Sequence, residues 1–203
     1  TGTVSHKFEF YSETLKKALA GHAEKHKATV DEILEACNYT ARGELAFVPH
    51  YEPPFRHGDA KEYPFTFIDY KSRLNREGRS QNAPWYYEFK HCDPGDVGHQ
   101  DSLQINPVDA DKLGIKDGDP IRVTSVVASI ECVARLWEGV RPGTVAKAFG
   151  QGHWAYGRTA AKDYAKGVPR GGNNNTLMPF DIERLSGANV RNGGFTGVKI
   201  ERI

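Results

Sequence analysis

The sequence lacks a long hydrophobic run and carries almost no net charge, and each absence excludes a class of protein. No apolar stretch approaches the roughly 18 residues that a membrane-spanning helix needs, so we expect no direct insertion into a membrane. The formal net charge is only +1 at pH 7, whereas nucleic-acid-binding domains usually carry a clear basic excess. We therefore expect no nucleic-acid partner for these 203 residues, which suffice for one domain of good size.

Cysteine is scarce as well. Cys37, Cys92 and Cys132 lie far apart, and none belongs to a Cys-x-x-Cys pair. Such spacing makes neither an iron–sulfur site nor a structural zinc site by itself. We interpret the three as inert thiols that behave as small hydrophobic side chains, and we predict no metal ligand in this chain.

The first 60 residues indicate a helical and proline-rich lead-in. The segment from Phe10 to Lys27 has helical spacing, with Ser12 as its N-cap. A second helix follows in TVDEILEAC, where Thr29 and Glu32 form a capping box. The next stretch, AFVPHYEPPFRHGDAKEYP, holds four prolines and little periodicity, which is typical of an extended connection. We predict a division of the chain into residues 1–60 and 61–203.

The second part is rich in strands. The 21 glycines and 11 prolines of the chain favour many turns. One short helix is expected after SLQI, with Asn106 as N-cap, Pro107 at its first position and Gly114 closing it. The expected strands, of which DPIRVTSVV and SIECVARLW form a hairpin, are YPFTFIDY, SLQI, DPIRVTSVV, SIECVARLW, GTVAKAFG and GVKIERI. The fold class is mainly β with helices (α+β).

Several segments carry a family resemblance in their order and spacing. They are HKFEFYSETL, NPVDADKLGIKDGD, GVRPG, GQGHWAYGR, NNNTLMPF and GVKI. Together they resemble the C-terminal cofactor-binding domain of the dimethyl sulfoxide reductase superfamily. The resemblance implies a six-stranded double-psi β-barrel that binds molybdopterin guanine dinucleotide, with molybdenum or tungsten shared with the rest of the parent subunit. GHWAYG and the asparagine run are similar to the branch of arsenate, tetrathionate, thiosulfate and polysulfide reductases.

The resemblance makes Asn106 and Asp109 candidates for guanine recognition. A carboxylate accepts both N–H groups of the guanine Watson–Crick edge, as an arginine fork reads the opposite edge. Asp109 is the candidate acceptor, and Asn106 caps the helix and can also face the ligand. The alternative for Asp109 is a favourable charge at a helix N-terminus, worth about 0.3–1 kcal/mol.

A second candidate region is the loop after the first strand. The family usually has Thr-Gly-Arg there, whereas this chain has Lys71-Ser72-Arg73, which keeps an arginine fork for phosphate and a short hydroxyl donor. Loss of the glycine puts close backbone approach in doubt. Arg79, Ser80 and Asn82 complete the candidate set. The alternative is a solvated basic loop.

The third and fourth candidate regions lie near the C-terminus. His153 stands between Gly152 and Trp154, where backbone amides could approach a flat heterocycle. Asn174 and Asn175 belong to an asparagine run that tolerates left-handed backbone and offers donors together with acceptors. The alternatives are a structural histidine, a core tryptophan and an ordinary asparagine-rich turn.

The resemblance places the metal ligand and any iron–sulfur cysteines elsewhere in a parent catalytic subunit. The chain starts Thr1-Gly2-Thr3 without an initiator methionine, so we expect a piece of a longer protein or a processed chain that does not turn over alone. The parent would reduce an oxyanion or a sulfur compound, and its partner would be an iron–sulfur electron-transfer subunit. Members of the branch commonly work outside the cytoplasmic membrane, although no signal segment is visible here. The alternatives are a non-catalytic barrel module that binds a protein or peptide and an acid–base enzyme on the same barrel.

Overall fold

The computed structural model describes residues 2–3, 5–53, 55–75, 77–88, 101–153, 157–189 and 195–203. The chain forms two compact units. Unit 1 comprises Thr1–Phe55 and Ile182–Val190, and unit 2 comprises Arg56–Asp181 and Arg191–Ile203. The chain therefore returns to unit 1 for one late segment, which the sequence pattern does not indicate. The boundary at residue 60 stays a prediction.

Unit 1 contains two helices with the caps that the sequence predicts. Helix α1 spans Glu13–His26, and the Ser12 side chain accepts the backbone N–H of Leu15. Helix α2 spans Val30–Ala36, and the Thr29–Glu32 capping box is present in both directions. A short 3-10 helix follows at Gly43–Phe47. Both predicted caps are confirmed.

The core of unit 1 joins these helices to the late segment. Leu19, Leu34 and Phe47 are buried in one cluster, and Leu185 packs against it. Nearby, the Tyr39 hydroxyl donates to the Glu183 carboxylate at 2.7 Å. Residues more than 140 positions apart in sequence thus complete the same core.

Unit 2 is a closed barrel of six strands. In spatial order the strands run β1, β5, β2, β4, β3 and β8. The elements of the unit in chain order are β1 Phe65–Tyr70, β2 Ser102–Ile105, α3 Pro107–Leu113, β3 Pro120–Thr124, β4 Ser129–Leu136, β5 Thr144–Ala148, β6 Ala161–Asp163, β7 Val168–Pro169 and β8 Thr196–Arg202. Strands β6 and β7 form a separate small sheet that the sequence does not predict. The predicted mainly-β fold with helices is confirmed, including the β3–β4 hairpin.

Alternation along the strands fills the barrel with apolar side chains. Phe67, Leu103, Ile121, Val145 and Val198 are all fully buried. Such burial of aliphatic and aromatic side chains is the main favourable contribution to folding. The predicted caps of α3 are confirmed, since the Asn106 side chain accepts from Val108 N–H and Gly114 takes the left-handed conformation.

The register of β5 defines two ends of the barrel. Strand β1 runs parallel to β5, with Tyr70 beside Ala148. Strand β2 runs antiparallel to β5, with Ile105 beside Val145. The chain that follows β1 and β5 and the chain that precedes β2 therefore meet at one end, which we call the polar end. The chain that follows β2 lies at the other, which we call the helix end, and β5 separates the two by roughly 13 Å at about 3.3 Å per residue.

Two further observations bear on the sequence predictions. Within the described ranges, no helix is both long enough and apolar enough to cross a bilayer. Cys132 is buried in the barrel, and burial raises the pKa of its thiol to about 12, which suits the predicted inert role. Cys37 is half-buried, and Cys92 lies outside the described residues.

Candidate functional site

At the polar end, three chain segments meet around the end of β5: the loop after β1, the loop after β5 and the asparagine-rich turn. The Asn75 side-chain amide donates to the carbonyl of Phe149 at 2.7 Å, which ties the loop after β1 to the loop after β5. The Asn174 amide donates to the carbonyl of Lys147 at 3.1 Å, which adds the asparagine-rich turn. The three segments are therefore fixed on one another by side-chain amides.

Gly150 lets two of these segments approach closely. Its φ is +107°, a backbone conformation that favours glycine. A Cβ at this position would overlap the Gln81 amide and lie 2.5 Å from the Asn75 amide nitrogen. The glycine of GQGHW thus makes room for buried amides of the loop after β1, a role that the sequence motif alone does not reveal.

Four side chains at the polar end carry buried polar atoms that have no hydrogen-bond partner among the described residues. Ser72 and Gln81 are each 1% exposed, Gln151 is 5% exposed and Asn174 is fully buried. The atoms concerned are Ser72 Oγ, Gln81 Nε2 and Oε1, Gln151 Oε1 and Asn174 Oδ1. A buried polar atom without a partner costs about 1–3 kcal/mol. A ligand with its own donors and acceptors would satisfy them.

A buried ion pair lies beneath the asparagine-rich turn. Lys147, only 1% exposed, pairs with the Asp101 carboxylate and donates to the carbonyl of Gly172 at 2.9 Å. The same Asp101 carboxylate accepts the backbone N–H of Gly172 at 2.7 Å. Burial raises the pKa of Asp101 above its ordinary value, while Lys147 and then the Gly172 N–H act in the opposite direction.

Most of the residues singled out from the sequence lie in the segments of the polar end. Ser80 is buried, and Asn82 accepts the N–H groups of Thr159 and Ala160 at 3.2 and 3.3 Å. His153 is half-buried and follows the close approach of Gly152 to Asn173. The exposed members of the set are Lys71, Arg73, Arg79 and Asn175, of which Arg79 pairs with Glu77 at 2.8 Å. Trp154 lies outside the described residues.

Asn106 and Asp109 lie at the helix end and are not brought together with the others. The Asn106 amide donates to the carbonyl of Val140 at 2.7 Å. Asp109 is 5% exposed, and its carboxylate accepts the Gly143 N–H at 2.6 Å and pairs with Lys112 at 3.3 Å. These contacts join α3 to the turn before β5. The Asp109 carboxylate thus already has partners within the protein. Its role as the guanine acceptor stays a prediction.

Sequence reasoning missed Gln81, Gln151 and the Lys147–Asp101 pair. One signal was available for Lys147, because a lysine interrupts the otherwise apolar strand GTVAKAFG. Gln81 stands between two residues that were singled out, and Gln151 stands within GQGHW. A glutamine has no sequence signature for burial, so only the fold identifies these two.

The described residues contain no group of three or more His, Cys, Asp or Glu side chains that could hold a metal ion. The polar end instead presents amides, hydroxyls and nearby cations. Those groups suit the hydrogen-bonding edges of a heterocycle and the phosphates of a nucleotide.

A protein-family model described as "Molydopterin dinucleotide binding domain" matches residues 85–193, more than half of the chain. The matched range includes Gln151, Asn174 and the Lys147–Asp101 pair. The family resemblance stated from the sequence is confirmed.

Full-length proteins align with nearly all of the chain. It is 67% identical over 200 residues to the molybdopterin-containing subunit of arsenate respiratory reductase from Chrysiogenes arsenatis, covering 98% of this chain and 24% of that subunit. It is 57% identical over 201 residues to the corresponding subunit from Shewanella sp. (strain ANA-3), covering 99% of this chain and 23% of that one. The chain thus spans about a quarter of the length of these relatives.

More distant similarities agree with this picture. A tetrathionate reductase subunit from Archaeoglobus fulgidus is 36% identical over 94 residues, which is 46% of this chain and 8% of that protein. Acetylene hydratase from Pelobacter acetylenicus superposes with a TM-score of 0.52 at 16% identity, over 84% of this chain and 22% of that one, a likeness of fold. The chain belongs to the molybdopterin dinucleotide-binding domains of the dimethyl sulfoxide reductase superfamily, in its arsenate reductase-like branch, and its cofactor is molybdopterin guanine dinucleotide.

Proposed function

We propose that the chain is the cofactor-binding part of the catalytic subunit of an oxyanion reductase, with arsenate as the substrate. The observation that carries the proposal is the 67% identity to a subunit of arsenate respiratory reductase over 98% of the chain. The alternative of a non-catalytic barrel module is not favoured by these relatives.

The polar end is the proposed contact surface for the cofactor. Its buried atoms without partners among the described residues include three oxygens, on Ser72, Gln151 and Asn174, and the complete amide of Gln81. The guanine and pterin edges offer both N–H donors and carbonyl or ring-nitrogen acceptors, so they fit this mixed set. Lys71 and Arg73, exposed beside Ser72, supply cations for the phosphates.

The proposed work of this chain is to bind and orient, and not to react. Its buried amides fix the heterocycle, and its packed barrel excludes water from one side of the site. When bound, the cofactor would supply two-electron redox chemistry, in which arsenate takes up two electrons and two protons and is converted to arsenite and water. The proposed partners are an iron–sulfur subunit that delivers electrons and the remainder of the catalytic subunit.

A nucleotide titration tests the contact surface. Uniformly labelled chain is titrated with GDP, and amide and side-chain chemical shifts are followed by NMR. Shifts clustered at Ser72, Gln81, Gln151 and Asn174 are expected at millimolar GDP, and Gln81→Leu should weaken them at least fivefold. Asn189→Ala, which alters an exposed amide of unit 1, is the matched control and should leave the titration unchanged. Shifts that avoid all four residues would count against the proposed surface.

The substrate is tested separately on the full-length subunit that contains this chain. Purified with its electron-transfer partner, it is expected to oxidise a reduced viologen dye with arsenate as acceptor. Tetrathionate and thiosulfate serve as comparison acceptors. A higher kcat/KM for either sulfur compound than for arsenate would refute the substrate assignment. The proposed contact surface for the cofactor would be unaffected by that result.

A further inference from the structure

The Lys147–Asp101 pair holds both polar groups of one backbone residue. Lys147 donates to the carbonyl of Gly172 at 2.9 Å, and Asp101 accepts the N–H of the same Gly172 at 2.7 Å. Lys147 belongs to β5, and Asp101 immediately precedes β2. Side chains from β5 and from the residue before β2 therefore both hydrogen-bond to the backbone of Gly172, two residues before Asn174.

The neighbouring side chains leave no room for a larger residue at Gly171 or Gly172. Gly171 has φ +71°, and a Cβ there would overlap the Asp101 side chain. A Cβ on Gly172 would lie 2.7 Å from the Ile130 side chain. Both positions therefore require glycine, and the turn sits directly against the ion pair.

The position of this turn determines which side-chain atom of Asn174 is available to a ligand. Its Nδ2 donates to the carbonyl of Lys147 at 3.1 Å, which fixes the orientation of the side-chain amide. Its Oδ1 is buried and has no partner among the described residues. Asn174 thus offers an acceptor, and the complementary ligand group is an N–H donor.

Stability alone is a weak reason for such a pair. Taking two charges out of water opposes their attraction, and replacing a buried ion pair by uncharged groups is often neutral for stability. This pair, however, is hydrogen-bonded to a backbone segment that lies next to buried polar atoms without partners among the described residues, so it can serve ligand binding. It can hold that segment in the geometry the ligand requires, which is the arrangement expected of preorganised binding sites.

We propose that Lys147 and Asp101 are positioning residues for cofactor binding, holding the turn at Gly172 so that Asn174 Oδ1 accepts a hydrogen bond from an N–H of the bound heterocycle. This inference rests on the proposed function of the polar end. Both charged side chains would act without contacting the ligand. Their effect passes through the Gly172 backbone and the Asn174 amide.

The test removes the charges together. In Asp101→Asn/Lys147→Met both groups become neutral at nearly constant size, so the thermal midpoint should stay close to that of the wild type. Each single variant leaves one buried charge without its partner and should melt earlier. The matched control is Asp163→Asn/Lys166→Met, which neutralises an exposed pair at 3.4 Å and should change nothing.

Two readouts separate positioning from stability. The first needs no ligand: hydrogen exchange of the Gly172 amide and of the Asn174 side-chain amide, both expected to speed up at least tenfold in the double variant. The second is affinity for GDP, expected to fall at least fivefold. Wild-type values of either quantity in a folded double variant would overturn the inference, as would faster exchange with unchanged affinity.

The outcomes remain distinguishable from those of the proposed function. If the wild-type chain binds no GDP, the proposed contact surface fails its own test, and the exchange readout alone decides whether the pair positions the turn. If the double variant does not fold, Asp101→Glu replaces it, because the charge pair is kept while the longer side chain moves the carboxylate relative to the Gly172 N–H. Exchange at Asn174 should then rise at least threefold, and an unchanged rate would overturn the inference.

Discussion

The Asn75 side-chain amide donates to the carbonyl of Phe149 at 2.7 Å and so joins the loops that follow two parallel strands. Asn75 is fully buried, so this bond is made away from water. A buried side-chain amide that caps the end of a neighbouring strand gives the polar end a rigid frame. The residues proposed to contact the cofactor lie around that frame.

Gly150→Ala should be strongly destabilising. The left-handed backbone costs an alanine about 1–2 kcal/mol, and overlap with the Gln81 and Asn75 amides adds about 1–3 kcal/mol, for roughly 2–5 kcal/mol in all. The free energy of unfolding from urea titration measures the loss. Gly118→Ala is the matched control, since Gly118 has φ +85° and a Cβ added there would meet nothing within 4 Å. Equal losses at both positions would mean that the close approach at Gly150 is unimportant.

Asp109→Ala should lower stability by about 1–3 kcal/mol, because the N–H of Gly143 loses its buried acceptor. Asp109→Asn keeps an oxygen for that bond and should cost less than about 1 kcal/mol. Thermal and urea unfolding measure both variants. The same Asp109→Asn protein, titrated with GDP, tests the guanine-acceptor prediction. Lost nucleotide shifts in a stable variant would support that role, and an unaltered titration would leave Asp109 with its contacts at the helix end.

Unit 1 should lose local stability in acid through Glu52. The backbone N–H of Thr40, with that of Ala41, lowers the pKa of Glu52 from 4.5 to about 2. A carboxyl whose folded pKa is depressed stabilises the fold above its unfolded pKa, and that stability is lost as pH falls through the folded value. Protection of the Thr40 and Ala41 amides from hydrogen exchange should therefore decline between about pH 4.5 and 2. Glu52→Gln should remove the pH dependence, and a wild-type profile in that variant would assign the effect to another group.

His50 should add the opposite dependence at higher pH. The carbonyl of Val48 and the Glu52 carboxylate face the two ring nitrogens at 2.6 and 2.9 Å, and these contacts raise the pKa of His50. A raised folded pKa means that the stabilisation is complete below the ordinary value of 6.5 and is lost as pH rises through the folded value. The His50 ring-proton chemical shift should titrate with a midpoint above 6.5. A midpoint below 6.5 would contradict the assignment.

The helices and strands could be predicted because their signals are local. Ser12, the Thr29–Glu32 pair and Asn106 are all caps whose partners lie within three residues. Strand β5 and the β3–β4 hairpin follow from short-range alternation and turn residues. Strands β6 and β7, of three and two residues, are too short to show an alternating pattern in the sequence.

The site could be predicted only in part because its geometry depends on strand register. The family resemblance indicates Ser72 and Asn174, yet their burial and unmatched oxygens become visible only in the folded chain. The same resemblance indicates Asp109, although β2 and β5 run in opposite directions and place it at the other end. Asp101 and Lys147 are far apart in the sequence, and no sequence pattern links them.

The late segment of unit 1 has a consequence for how the chain is made. Tyr39 and Leu34 belong to the first fifth of the sequence, whereas Glu183 and Leu185, which complete their surroundings, emerge from the ribosome only after seven of the eight strands that the structure describes have been synthesised. Domains whose contacts are local can fold as soon as they emerge. Unit 1 cannot, and although its helices precede the barrel in the sequence, its core must wait, incomplete, until most of the barrel has been translated.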